Sequence, residues 1–277
     1  MKNKRILALT AVTLLAGLTA FAQKKTQACP SVRECLENGI EFILKAEEIG
    51  RVQGDTTHYV AQGACSDGVN VYFTLRTKGN DSAVIHKYSL SPFEFVACSE
   101  PIACHHANDI TWCDATGTLV VAHGGPTKML TIVDASTLKE IRKQPLAYNC
   151  GAISYCSARG QYVASSGAGS YRIADADFND ISGEVVRAKV EGKTAQGNGN
   201  DGTFIYFPMS GQRRPVMDVF RWDDGSHVAT LDVPVPLEIE SCFVTGGRYF
   251  AVFYGGKDFK GAILYELPPA RASKNKK

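Results

Sequence analysis

"QGACSDGVNVYF" at residues 62–73 returns as "QGNGNDGTFIYF" at residues 196–207. Gln62, Gly63, Asp67, Gly68, Tyr72 and Phe73 reappear as Gln196, Gly197, Asp201, Gly202, Tyr206 and Phe207, offset by 134 residues. That offset holds three units of about 45 residues, the period of strand-rich repeat architectures. Turn glycines at Gly68, Gly117, Gly160, Gly202 and Gly247 mark the units, 42 to 49 residues apart. Each precedes a β-rich run: "VNVYFTL", "TLVVAH", "QYVASS", "TFIYFPM" and "RYFAVFY". A second strand follows in each unit: "VIHKYSL", "MLTIVDA", "SYRIADA", "VMDVFRW" and "AILYEL". A third, weaker strand follows in the first four, as in "FEFVAC" and "HVATLDV".

Five units of this kind, starting near residues 61, 105, 149, 195 and 239, predict an all-β, five-bladed β-propeller. A single four-stranded blade is too small to bury a core and must stack on its neighbours. The fifth unit lacks its outermost strand. "IEFILKAEEI" at 40–49 is the remaining candidate, and it is expected to close the ring by pairing with the last blade. A short helix is the other reading of those residues. The expected organisation is a leader over 1–22, an extension over 23–38, one propeller domain over 39–268 and a solvated basic tail over 269–277.

The leader reading rests on Lys2, Lys4 and Arg5, the apolar run from Ile6 to Thr19, and the small-x-small site Ala20-Phe21-Ala22. It predicts a secreted or periplasmic protein. No other apolar run approaches the ~18 residues needed to cross a bilayer, so no span is expected in the mature chain. The net charge is +2, and three of the cations lie in the leader. A near-neutral chain gives no electrostatic reason to expect nucleic acid. An exported chain with nine cysteines can form disulfides. Cys29 with Cys35 and Cys98 with Cys104 are close enough in sequence for local bridges.

"LVVAHGGPTKMLTIVDASTLKEIR" at 119–142 resembles a YVTN-type propeller blade through Thr131, Ile132, Val133, Asp134 and Thr137. The first blade is similar to the opening blade of five-bladed glutaminyl cyclotransferases, which cyclise N-terminal glutamine. Gln62, Gly63, Asp67, Gly68 and Tyr72 carry that likeness. The second blade of those enzymes opens with a Gly-Glu-Gly run, where this chain has Ala107-Asn108-Asp109. The resemblance therefore implies that the catalytic glutamate is absent, or displaced by one position as Asp109.

Propeller geometry brings the starts of the innermost strands and the ends of the next strands to one mouth of the central channel. The candidate ligand-binding residues are Gln62, Arg76, His105, His106, Asn108, His123, Asn149, Gln196, Asn198, Arg213, Glu240 and Tyr254. If His106 faces the channel, strand alternation puts Asn108 beside it and Asp109 on the other side. A bulge or turn is expected there, because that alternation fits Ile110 and Trp112 badly. The bland reading of the stretch is a polar loop whose Asn108 and Asp109 hold backbone amides.

Two metals are weighed. Zinc would need a set such as Cys104, His106, Cys150 and Glu240. Calcium would need oxygens such as those of Asn108, Asp109, Asn149, Asn200, Asp201 and Glu240. Asp109 and Glu240 are also the candidate carboxylate pair of a glycosidase. The leading expectation is a pocket for a small molecule, a peptide end or a glycan end. The alternative is an enzyme at the same pocket, either a metal-assisted hydrolase or a cyclotransferase-like acyl transferase. There His106 or Asp109 would be the base and Asn108 the donor that orients a carbonyl.

Overall fold

The computed structural model describes residues 30–124, 127–166, 169–187, 190–211 and 214–272. The leader, Cys29, Arg213 and the last five residues of the basic tail lie outside the described residues. Five antiparallel sheets stand in a ring. Their innermost strands are His58–Ser66, Asp109–Cys113, Ala152–Cys156, the interrupted pair Lys193–Ala195 and Gly199–Asn200, and Glu238–Thr245. Each innermost strand packs on the next, and the fifth packs on the first, so the ring is closed. This is the expected five-bladed propeller. No helix among the described residues is long and apolar enough to cross a membrane.

The aspartate, glycine, tyrosine and phenylalanine of the repeated motif each have a physical reason. Asp67 accepts the backbone N–H groups of Val69 and Asn70 at 2.8 and 2.6 Å, and the Tyr72 hydroxyl donates to its other oxygen at 2.8 Å. Asp201 does the same with Thr203, Phe204 and Tyr206, at 2.9, 2.8 and 2.6 Å. The aspartate therefore ties a tight turn to the strand that follows. Gly68 and Gly202 sit in those turns at φ +92° and +84°, where a Cβ is disfavoured.

The Tyr-Phe pairs split by strand alternation. Tyr72 enters the core between blades one and two with Ile110 and Leu119, and Phe73 enters the core between blades five and one with Phe250 and Leu264. Tyr206 likewise packs toward blade five and Phe207 toward blade three. One repeat thus supplies half of two interblade cores, which is why no blade is a separate domain.

Ring closure departs from expectation in register. The outer strand of blade five is Glu47–Gln53, antiparallel to Gly261–Glu266. The earlier half of the expected strand, Phe42–Leu44, pairs instead with Pro269–Arg271, so the start of the basic tail is held in a strand. A bulge near Gly50 separates the closing strand from an even ladder. A Cβ on Gly50 would come within 2.2 Å of the Phe93 ring, so only glycine lets blade one cross there. The extension contains a helix, Val32–Glu37, with a capping box: Ser31 Oγ accepts the Glu34 N–H at 3.2 Å, and the Glu34 carboxylate accepts the Ser31 N–H at 2.8 Å. Its Val32 is buried in the core between blades four and five.

Cys98 and Cys104 do not form the expected bridge. Cys98 is exposed on the outer strand of blade one, while Cys104 is buried between blades one and two. Cys65, Cys113, Cys156 and Cys242 are buried in interblade cores as small apolar groups.

Candidate functional site

We call the face where the innermost strands begin the upper face. Four of the residues expected at its mouth come together: Arg76, His106, Glu240 and Tyr254. Arg76 ends the second strand of blade one and lies within electrostatic reach of Glu238, Glu240 and Tyr254 of blade five and of Tyr59 of blade one. His106 of blade two feels the same guanidinium. Blades five, one and two therefore share one cluster.

Glu240 is 5% exposed, and no described residue hydrogen-bonds its carboxyl group. Strand pairing explains its position. Ile239 pairs with Phe253 and Ser241 with Val252, so Glu240 is the extra residue of a bulge. Burial pushes its carboxyl well above the usual range, the charge of Glu238 adds to this, and Arg76 draws it back. Arg76 gives one guanidinium N–H to the Thr77 carbonyl at 3.0 Å, and its Nε is buried with no partner. Burial, helped by Arg76, pushes the His106 imidazole down to about 4, so the ring is neutral at pH 7.

Asp109 overturns the expected alternation. It is fully buried and faces the channel axis, where its carboxylate accepts the N–H of Ile153 at 3.1 Å, the N–H of Asn198 at 3.0 Å and the hydroxyl of Ser241 at 2.8 Å. Those donors come from blades three, four and five. Blade one is held close as well, since a Cβ on Gly63 would sit 2.5 Å from the Asp109 Cα. Ala107, at φ +47°, supplies the expected break before the strand, and it turns Asp109 inward. Burial raises the Asp109 carboxyl to about 7, against the pull of its hydrogen bonds. Asp109 is thus a hub joining blades, which removes it as an open catalytic base and as half of a glycosidase pair.

The other expected residues have local duties. The Gln62 amide donates to the Ala61 carbonyl at 2.6 Å. Asn108 donates to the Gly151 carbonyl of blade three at 2.7 Å, the tethering role of the bland reading. The buried His123 ring meets the Thr131 hydroxyl at 2.7 Å and is turned into blade two, away from the mouth. Asn198 is buried between blades three and four, where it donates to Ser165 at 3.2 Å. His105 and Asn149 are exposed, and Gln196 is half-buried.

Neither metal set is assembled. Among the described residues no group of three or more His, Cys, Asp and Glu side chains is placed to hold a metal ion. Cys104 and Cys150 bond to nearby carbonyls, Asp201 is used in its turn, and Asn200 donates to Ser154 and to the Tyr155 carbonyl. Burial raises the Cys104 thiol to about 11, so it is no nucleophile beside His105. Tyr59 is the mouth residue that sequence spacing misses. It lies three residues before Gln62, in a strand that starts earlier than the repeat and carries its own bulges.

The protein is therefore a five-bladed β-propeller with a blocked axial channel and a charged upper mouth. In overall shape it is similar to Myxococcus xanthus glutaminyl cyclase, with a TM-score of 0.57 at 16% identity over 83% of this chain and 99% of that chain. A chain of a nidogen/laminin complex overlaps with a TM-score of 0.47 at 12% identity, over 76% of this chain and 85% of that one. No protein-family model matches the sequence, the YVTN-type repeat included. No curated protein matches it either.

Proposed function

We propose that the protein is exported by its first 22 residues and binds a small ligand with an amide or peptide end at the upper mouth. One observation carries this reading: the Arg76 Nε is buried without a hydrogen-bond partner, within electrostatic reach of the Glu240 carboxyl at the same mouth. Unpaired buried polar groups are costly, so they mark places where a ligand completes the hydrogen bonding. An amide offers the carbonyl that Arg76 requires and the N–H that Glu240 can accept. The neutral His106 and the Tyr254 and Tyr59 rings border the same cluster.

Acyl transfer is the second reading, and Glu240 favours it. A carboxyl that burial makes hold its proton to higher pH can act as a general acid. If the ligand were an N-terminal glutamine, its amine would attack the side-chain carboxamide carbon to form the ring C–N bond, the carboxamide C–N bond would break, and ammonia would leave with the Glu240 proton, which the amine's proton replaces. The likeness in fold to a glutaminyl cyclase supports this reading.

One experiment separates the two. The mature protein is titrated by calorimetry with the dipeptide Gln-Gly and with Ala-Gly, and each mixture is followed for ammonia release. Binding without ammonia, weakened at least tenfold by Arg76→Lys or Glu240→Gln, supports the binding reading. Ammonia release from Gln-Gly alone, abolished by Glu240→Gln, supports acyl transfer. If neither peptide binds or reacts, or if the variants behave as wild type, the mouth is not an amide site.

A further inference from the structure

Below Asp109 the channel opens again. The lower halves of all five innermost strands enclose a pocket of about 100 Å³. Its walls include Thr111, Trp112, Ser154, Tyr155, Asn198 and Asn200, and no charged side chain lines it. Asp109 and its three donors stand between this pocket and the upper mouth.

We propose that this lower pocket is a second binding site and that it takes one sugar residue of a neutral glycan. The hydrogen bonds left over in its walls fit that chemistry. Thr111 Oγ1 accepts the Tyr155 N–H at 2.8 Å, and Ser154 Oγ accepts from Asn200 at 3.0 Å, so each hydroxyl still has its own hydrogen to give. Asn198, 2% exposed, has a buried Oδ1 with no partner. Two donors are thus available in a confined polar space, and the unpartnered Asn198 Oδ1 is buried behind its wall. Adjacent sugar hydroxyls each donate and accept, and they match such a set. A charged ligand would lose its hydration with no counter-charge in the walls, and a purely apolar one would leave the Thr111 and Ser154 hydroxyl hydrogens without acceptors. Trp112 is half-buried at the pocket wall and supplies aromatic surface for the C–H face of a sugar ring, while the Tyr155 ring packs on Tyr162.

The chain has two tryptophans, which makes the test optical. Trp222 is buried under Arg159, with 5.1 Å from guanidinium to ring, so Trp222→Phe leaves Trp112 as the single reporter. The mature Trp222→Phe protein is titrated with the methyl glycosides of glucose, galactose, mannose and N-acetylglucosamine, with glucuronic acid and glucosamine as charged controls. Saturable fluorescence change with at least one neutral glycoside, at least tenfold weaker for the charged sugars, is expected. Ser154→Ala, shown by its melt to be folded, should weaken that binding at least tenfold. The proposal is overturned if no neutral glycoside binds, if charged sugars bind as well as neutral ones, or if folded Ser154→Ala binds like its parent.

Discussion

The two ends of the channel are built by the same five strands and are chemically opposite. The upper mouth gathers Arg76, Glu238, Glu240 and His106, and leaves the buried Arg76 Nε without a partner. The pocket at the lower end is lined by no charged side chain, and its Thr111, Ser154 and Asn200 bond to one another's blades. Backbone geometry explains the difference. Upper ends arrive through bulges at Gln62-Gly63 and Glu240 and through the left-handed Ala107, which free side chains from the ladder. Lower ends of blades one and four run straight into aspartate-glycine turns, whose carboxylates are used within the turn and on the following tyrosine. The hub and the lower turns hold the ring together, and the two pockets on either side of the hub differ in charge.

The sharpest way to break that division is at the hub. Asp109→Ala leaves two buried amides and a hydroxyl unpaired, and should lower unfolding stability by about 4 kcal/mol in urea titrations. A loss below about 1 kcal/mol would mean that the hub does not join the blades. Asp109→Asn tests the ionisation. A carboxyl at about 7 in the fold and near 3.8 in the unfolded chain is neutral in both states at low pH and charged in both above neutrality. The cost of the buried charge therefore grows as pH rises from about 4 to about 7. The stability advantage of wild type over Asp109→Asn should shrink across that window, and a flat or widening gap would contradict it.

Crowding around the hub comes next. Gly63→Ala puts a Cβ against the Asp109 Cα, and Gly197→Ala puts one 2.7 Å from Ser241 Oγ. Each should cost about 2–3 kcal/mol, against about 1 kcal/mol for Gly117→Ala, which strains φ but meets no neighbour. Equal melting shifts for all three would remove the close-approach explanation of the Gln-Gly pairs.

The mouth should respond in the other direction. Glu240→Gln replaces a carboxyl whose folded value is raised, so it should be neutral near pH 4 and gain about 1 kcal/mol by pH 8. A loss at pH 8 would show that Glu240 is structural. Ser154→Ala, in the lower pocket, should cost only about 1 kcal/mol because Asn200 keeps its bond to the Tyr155 carbonyl.

Much of the fold is legible in the sequence because the repeated residues are the structural ones. Asp67 and Asp201 hold turns, their glycines adopt left-handed φ, and the Tyr-Phe pairs feed two cores. The missing outer strand of blade five also points to the N-terminus. Its register is hidden, because Gly50 looks like a turn residue but serves a crossing with Phe93. At the upper mouth, charged residues in otherwise β-rich sequence stand out, and Arg76, His106, Glu240 and Tyr254 do converge. The role of Asp109 is hidden because two of its three partners are backbone amides, which carry no residue-type signal. The lower pocket is equally silent, since serine, threonine and asparagine in strands look the same whether or not their bonding is complete.

The strand that completes blade five has a consequence for how the molecule is made. Glu47–Gln53 is among the first propeller segments to be synthesised, and its partner Gly261–Glu266 is nearly the last. The closing strand must wait, unpaired, until almost the whole chain exists. Contacts this distant in sequence slow folding, because loop entropy is lost before the pairing rewards it. The docking of Val32 between blades four and five and the clamp of Phe42–Leu44 on Pro269–Arg271 come with that final step. The ring is thus assembled late and all at once, and every earlier state carries an exposed edge on blade five that is open to pairing with another chain.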